Sequence, residues 1–133
     1  MALRILITVL CGVGLYASLF MLRKSNRAAR GELTEPSVVQ TPRARLFGGV
    51  PNALLGACYY PALALAVWLA TEHWELMGIL AVALFAAVVS IVLAYSLLFV
   101  TRMPCFFCWT SHAVNWALAL CATLFAITKS HQP

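Results

Sequence analysis

The sequence predicts an all-α, multi-pass membrane four-helix bundle, and three observations carry that prediction. Of 133 residues, 63% are hydrophobic and only 10% are charged, more apolar surface than a water-soluble core of this size can hide. Four apolar segments follow one another, at about 3–22, 50–70, 76–100 and 105–127, each near the roughly 20 residues that cross a hydrocarbon core as a helix. Only one sizeable polar segment separates them, 23–47. With no internal repeat and no low-complexity tract, residues 1–133 read as a single membrane domain.

Each element has a local reason. Arg4 precedes the first apolar stretch as it would in a signal peptide, but the stretch is long and no clear small-residue cleavage site follows, so it reads as a retained span. The polar loop carries Arg23, Lys24, Arg27, Arg30, Arg43 and Arg45 against Glu32 and Glu35. In the second span Pro51 suits a helix start, Asn52 falls in the first turn, and Pro61 is expected to kink the helix. The connections Thr71–Glu75 and Thr101–Pro104 are short, and short turns make antiparallel neighbours of the helices they join. Pro104 then stops the third span and places Cys105 at the N-terminal end of the fourth.

Charge bears on orientation and on partners. An even number of spans puts both termini and Thr71–Glu75 on one side, with Arg4 and Lys129, and leaves the cationic loop and Arg102 on the other. Because Lys and Arg near span ends tend to stay cytoplasmic, the charge count alone places Cys105 in the cytosol. The basic loop is a solvated segment beside lipid headgroups. It lacks the aromatic interleaving and recognisable fold of a nucleic-acid binder, so membrane lipid is an expected partner and nucleic acid is not.

The five cysteines differ in setting. Cys11, Cys58 and Cys121 lie inside apolar segments, where cysteine usually serves as a small buried hydrophobe. Cys105 and Cys108 form a C-x-x-C pair, which is either a thiol–disulfide couple or half of a zinc site. Zinc needs further ligands. No second pair exists, His73 sits at the opposite membrane face, and His112 alone leaves the metal one ligand short, so a redox pair without metal is the expectation. At a helix N-terminus the unpaired backbone N–H groups and the dipole stabilise the thiolate that does such chemistry. The plainer alternative is two inert cysteines in an apolar helix, with Phe106, Phe107 and Trp109 forming an interfacial aromatic belt.

Helical spacing extends the site, since Cys108, His112, Asn115 and Ala119 share one face. His112 and Asn115 are expensive in lipid and should point into the bundle and find partners there. His112 reads equally as a satisfied core residue or as part of the site. Asn52 reads as a helix cap, the commoner use, or as a site residue at the same membrane face as Cys105. An amide, a thiolate, an imidazole and aromatic rings gathered in an apolar setting suit a flat molecule bearing a carbonyl oxygen, and a quinone is the natural lipid-soluble candidate.

These residues, in this order, resemble the vitamin K epoxide reductase family: four spans, a long first loop, Asn52-x-x-x-Gly56 followed by Tyr59-Tyr60, and Cys105-x-x-Cys108 opening the fourth span. The resemblance covers nearly the whole chain and is weakest in the first loop. It implies a membrane enzyme that passes electrons from thiols to a quinone or its epoxide, and in bacterial members thereby makes disulfides in partner proteins. By that resemblance Cys108 faces the quinone, Cys105 exchanges with an incoming thiol from a thioredoxin-like protein or a small thiol, and Asn52 hydrogen-bonds a quinone oxygen. His112 stands where some relatives use a tyrosine for a similar bond, and Tyr59, Tyr60 and Asn115 complete the expected quinone-binding set. The implied location is the inner membrane of a bacterium.

Two features depart from the family pattern. Its typical members carry another cysteine pair in the first loop, and residues 23–47 contain none. Its geometry also puts the loop and the C-x-x-C on the extracytoplasmic side, against the charge count, and the side stays open. Other classes compete with a quinone-linked thiol oxidoreductase. One is a non-catalytic quinone- or lipid-binding membrane subunit with structural cysteines; another is a small membrane scaffold with inert thiols.

Overall fold

A computed structural model describes residues 1–46 and 49–130. Phe47, the last residue of the expected polar loop, lies outside them. Four helices dominate: α1 (Ala2–Ala29), α2 (Asn52–Leu69), α3 (His73–Tyr95), which runs on as a π-helical segment over Ser96–Thr101, and α4 (Phe106–Ser130). All four are long and apolar enough to cross a membrane. The four-span bundle expected from sequence is the one observed.

Side-chain placement is that of a protein solvated by hydrocarbon. Val9, Val13, Leu65, Phe85, Val88, Ile91, Leu120 and Leu124 all point outward, which water would penalise and lipid does not. The inward faces of α1 and α3 are rich in small residues, because without a hydrophobic drive between helices, association in lipid depends on close backbone approach. On α1 the buried residues are Ile7, Cys11, Gly14, Ala17, Ser18 and Ser25, at helical spacing along one stripe. A Cβ added at Gly14 would overlap the Tyr60 ring, and one at Gly56 would overlap the Ser18 hydroxyl. Those two glycines let α1 and α2 close on each other. Cys11 and Cys121 are buried in this packing, as the small hydrophobes they were expected to be, whereas Cys58 is exposed on α2.

α1 extends well past the apolar stretch that announces it, so Arg23, Lys24 and Arg27 ride on its last turns rather than in a loop. Arg27 and Arg30 both approach the Glu32 carboxylate. The true connection crosses back over the bundle end through two short 3-10 turns, Val38–Gln40 and Pro42–Ala44, and a two-residue antiparallel pairing of Arg45–Leu46 with Val50–Pro51. Val39 is buried beneath it. The connection is thus a packed lid.

One expectation from the short turns needs correction. α1 packs along both α2 and α4, and α3 packs along α4, but α2 and α3 barely touch although only a few residues join them. The turn holds their ends together; beyond it the helices diverge, and the space between is a cavity rather than a packed seam.

Candidate active site

The start of α4 is set by two backbone events. Arg102 adopts a left-handed conformation, φ 50°, and its N–H donates to the Leu97 carbonyl at 3.0 Å, which ends the third span ahead of Pro104. Cys105 follows just before α4, its carbonyl accepting the first helical hydrogen bond, from the Trp109 N–H at 3.1 Å. Cys105 and Cys108 are joined as a disulfide. The Cys108 backbone N–H also donates to the Cys105 sulfur at 3.2 Å, so a first-turn amide with no place in the helical ladder is aimed at that sulfur, where charge on a thiolate is stabilised.

The two sulfurs differ in what they face. Cys108 lines a cavity of about 110 Å³ enclosed by α1, the lid, the start of α2, the π-helical segment and α4, with Ser25, Val39, Arg43, Asn52, Ser96 and His112 among its walls. Cys105 is not in its lining. Three polar atoms around this cavity are buried without a partner among the described residues: Asn52 Oδ1, His112 Nδ1 and Ser96 Oγ. An unpaired buried polar group costs about 1–3 kcal/mol, so their concentration in one small space marks a place where a polar molecule is expected to sit.

Asn52 resolves one of the alternatives left by the sequence. α2 has no side-chain cap; the Asn52 amide instead donates to the Arg43 carbonyl at 3.0 Å. It pins the lid over the cavity and keeps its second N–H and its oxygen free of other partners among the described residues. His112 is buried, with Trp109 edge-on at 6.1 Å and Trp116 stacked at 6.4 Å between ring centroids. The aromatic rings hold the imidazole by shape, leaving Nδ1 unspent.

A second cavity, about 300 Å³, occupies the space where α2 and α3 diverge and shares Asn52, Leu93 and His112 with the first. Tyr59, Tyr60 and Asn115 line it. Their hydroxyls and amide are not equivalent. Tyr59 Oη is buried and has no partner among the described residues, whereas Tyr60 Oη donates to Asn115 Oδ1 at 3.0 Å and Asn115 Nδ2 donates to Ser90 Oγ at 2.6 Å. That chain bolts α2, α4 and α3 together. Tyr60 and Asn115 are therefore walls with their polar atoms committed, and Tyr59 has a hydroxyl to offer.

Asn52, Tyr59, Tyr60, Cys108, His112 and Asn115 thus border one cavity or the other, and Cys105 borders neither. Sequence reasoning missed Ser90, Ser96, Arg43 and Trp116. A serine in an apolar helix is a faint signal because it can bond its own backbone, and nothing local marks Arg43 as part of a lid. Chemically, the arrangement offers one sulfur at a helix start and its disulfide partner against a largely apolar cavity with hydrogen-bonding groups that have no partner among the described residues.

Comparison with curated proteins finds none that matches the chain. The family comparison does: the sequence model of the vitamin K epoxide reductase family matches residues 5–123. That stretch contains all four helices except the first residues of α1 and the end of α4, together with both cavities and the cysteine pair. The chain belongs to the vitamin K epoxide reductase family, a family of membrane oxidoreductases working between thiols and quinones.

Proposed function

We propose that the protein is a quinone-linked thiol–disulfide oxidoreductase that takes electrons from an external thiol through Cys105 and Cys108 and delivers them to a quinone in the adjoining cavities. The single observation that carries the reading is the placement of Cys108 on the wall of a cavity whose other polar groups, Asn52 and His112, have unspent hydrogen-bonding atoms.

The steps balance. A partner thiolate attacks the Cys105 sulfur; the Cys105–Cys108 bond breaks as a mixed disulfide forms, and Cys108 leaves as a thiolate. A second thiol of the partner then displaces Cys105, so the partner departs as a disulfide and the pair is a dithiol. Two electrons and two protons pass to the quinone, which becomes a quinol, and the Cys105–Cys108 bond re-forms. The net change is one dithiol oxidised for one quinone reduced. In this reading a His112 ring N–H and the Asn52 amide N–H not spent on Arg43 donate where negative charge develops on the quinone oxygen, and Asn52 Oδ1 can accept from the quinol hydroxyl once it forms. Tyr59 contributes its hydroxyl deeper in the space, and Tyr60 and Asn115 hold the wall.

With no cysteine in the lid, Cys105 receives electrons directly, from a thioredoxin-like protein or a small thiol. Purified protein should show thiol-dependent loss of quinone absorbance that is absent in Cys108→Ala. A protein that binds quinone equally well with and without Cys108 and never reduces it would instead be a binding subunit. Alkylation of Cys105 in intact cells and in inverted vesicles assigns the side of the membrane.

A further inference from the structure

At the end of the bundle away from the cysteines, α1 begins beside the last turns of α4, and a cavity of about 370 Å³ lies between them. Its walls include Leu3, Arg4, Phe125, Thr128 and Lys129. Phe125 is about 30 Å along α4 from Cys105, and this space shares no lining residue with the two cavities near the cysteines. Arg4 and Lys129 bring two cations to it, and neither forms an ion pair among the described residues, where the only ion pairs involve Glu32.

Arg4 is held rather than free. One guanidinium nitrogen donates to the Ala70 carbonyl at 3.2 Å, and its central carbon lies 5.5 Å from the Phe125 ring centroid and 5.9 Å from that of Trp68. An arginine has five N–H donors, and this one spends a single donor on the protein among the described residues. A fixed, half-buried guanidinium with donors to spare, facing a second cation across an open space, is arranged for a phosphate-like anion. The place is where a span reaches the headgroup layer, and the outward faces of α1 and α4 beside it are apolar. We infer that this cavity binds the phosphate headgroup of an anionic phospholipid, whose acyl chains lie along those faces.

The test is reconstitution into vesicles of phosphatidylcholine with about one quarter phosphatidylglycerol, gentle extraction, and mass spectrometry of the lipid that stays bound. Phosphatidylglycerol should be enriched over its share, and each cation removed should lower that enrichment about fivefold. Lys129→Gln tests this without disturbing the Ala70 hydrogen bond; Arg4→Gln should show a similar loss if it folds. Arg23→Gln, in the basic segment at the opposite end of α1, serves as the comparison and should lower retention by clearly less than Lys129→Gln. Equal retention of both lipids, equal loss in all three variants, or no loss in Lys129→Gln would overturn the assignment. So would a site that responds to inorganic phosphate alone and shows no preference between the lipids.

Discussion

The backbone N–H of Cys108 donates to the sulfur of Cys105 at 3.2 Å. That contact divides the labour of the pair: the helix amide supports charge on Cys105, while the Cys108 side chain faces the cavity. A support of this kind makes Cys105 a good thiolate once the disulfide is opened, and it depends only on the helix start that Pro104 and Arg102 define.

The pair should therefore cycle while the other cysteines do not. Mass-shift alkylation before and after reduction should add two thiols, at Cys105 and Cys108. Cys11 and Cys121 are buried and Cys58 faces outward on α2, so all three should remain thiols throughout. A pair that neither soluble quinone nor disulfide can oxidise would remove the redox reading.

Cys108→Ser should trap a covalent adduct through Cys105 when the partner is supplied in its disulfide form: the Cys105 thiolate attacks that disulfide, one partner sulfur leaves as a thiol, and Cys108 is no longer there to displace the other. Non-reducing gels of Cys108→Ser and Cys105→Ser decide it. The cationic lid end favours an acidic partner, and added salt should slow adduct formation. Adducts confined to Cys105→Ser would reverse the two assignments.

Asn52→Ala and His112→Ala should each slow quinone reduction about a hundredfold, since a hydrogen bond to developing charge in a dry site is worth on the order of 2–4 kcal/mol. Asn52→Ala also unpins the lid at Arg43, so its effect on quinone affinity should be the larger. Unchanged turnover in His112→Ala would return that residue to the core.

Gly14→Ala should destabilise the bundle by about 1–3 kcal/mol through overpacking, as its methyl group would meet the Tyr60 ring. Asn115→Ala should cost about 1 kcal/mol by removing the Asn115 bonds to Ser90 and Tyr60 and leaving the Tyr60 hydroxyl only its longer bond to the Ser111 carbonyl. Thermal unfolding in detergent reads both. A fully stable Gly14→Ala would show that α1 and α2 are less tightly joined than described.

The spans were legible because runs of apolar residues must be as long as the membrane is thick, and the polar stripe through Cys108, His112 and Asn115 was legible because helical period puts those residues on one face. What sequence could not show was how each polar atom is spent. Asn115 and Tyr60 look like ligand groups but satisfy each other; Asn52 looks like a cap but ties down the lid. Those outcomes depend on which helix lies opposite, and the divergence of α2 from α3 overrode the expectation that a short turn makes packed neighbours. Ser96 owes its exposure to the cavity to a π-helical segment, which no local pattern announced.

The most direct test of electron flow is a single turnover without oxygen. Protein with Cys105 and Cys108 reduced is mixed with a lipid-soluble quinone, and quinol formation and disulfide re-formation are followed together. The account predicts one Cys105–Cys108 disulfide for each quinol formed, with neither product in Cys108→Ala. Quinol appearing while both cysteines stay reduced, or at the same rate in Cys108→Ala, would contradict it.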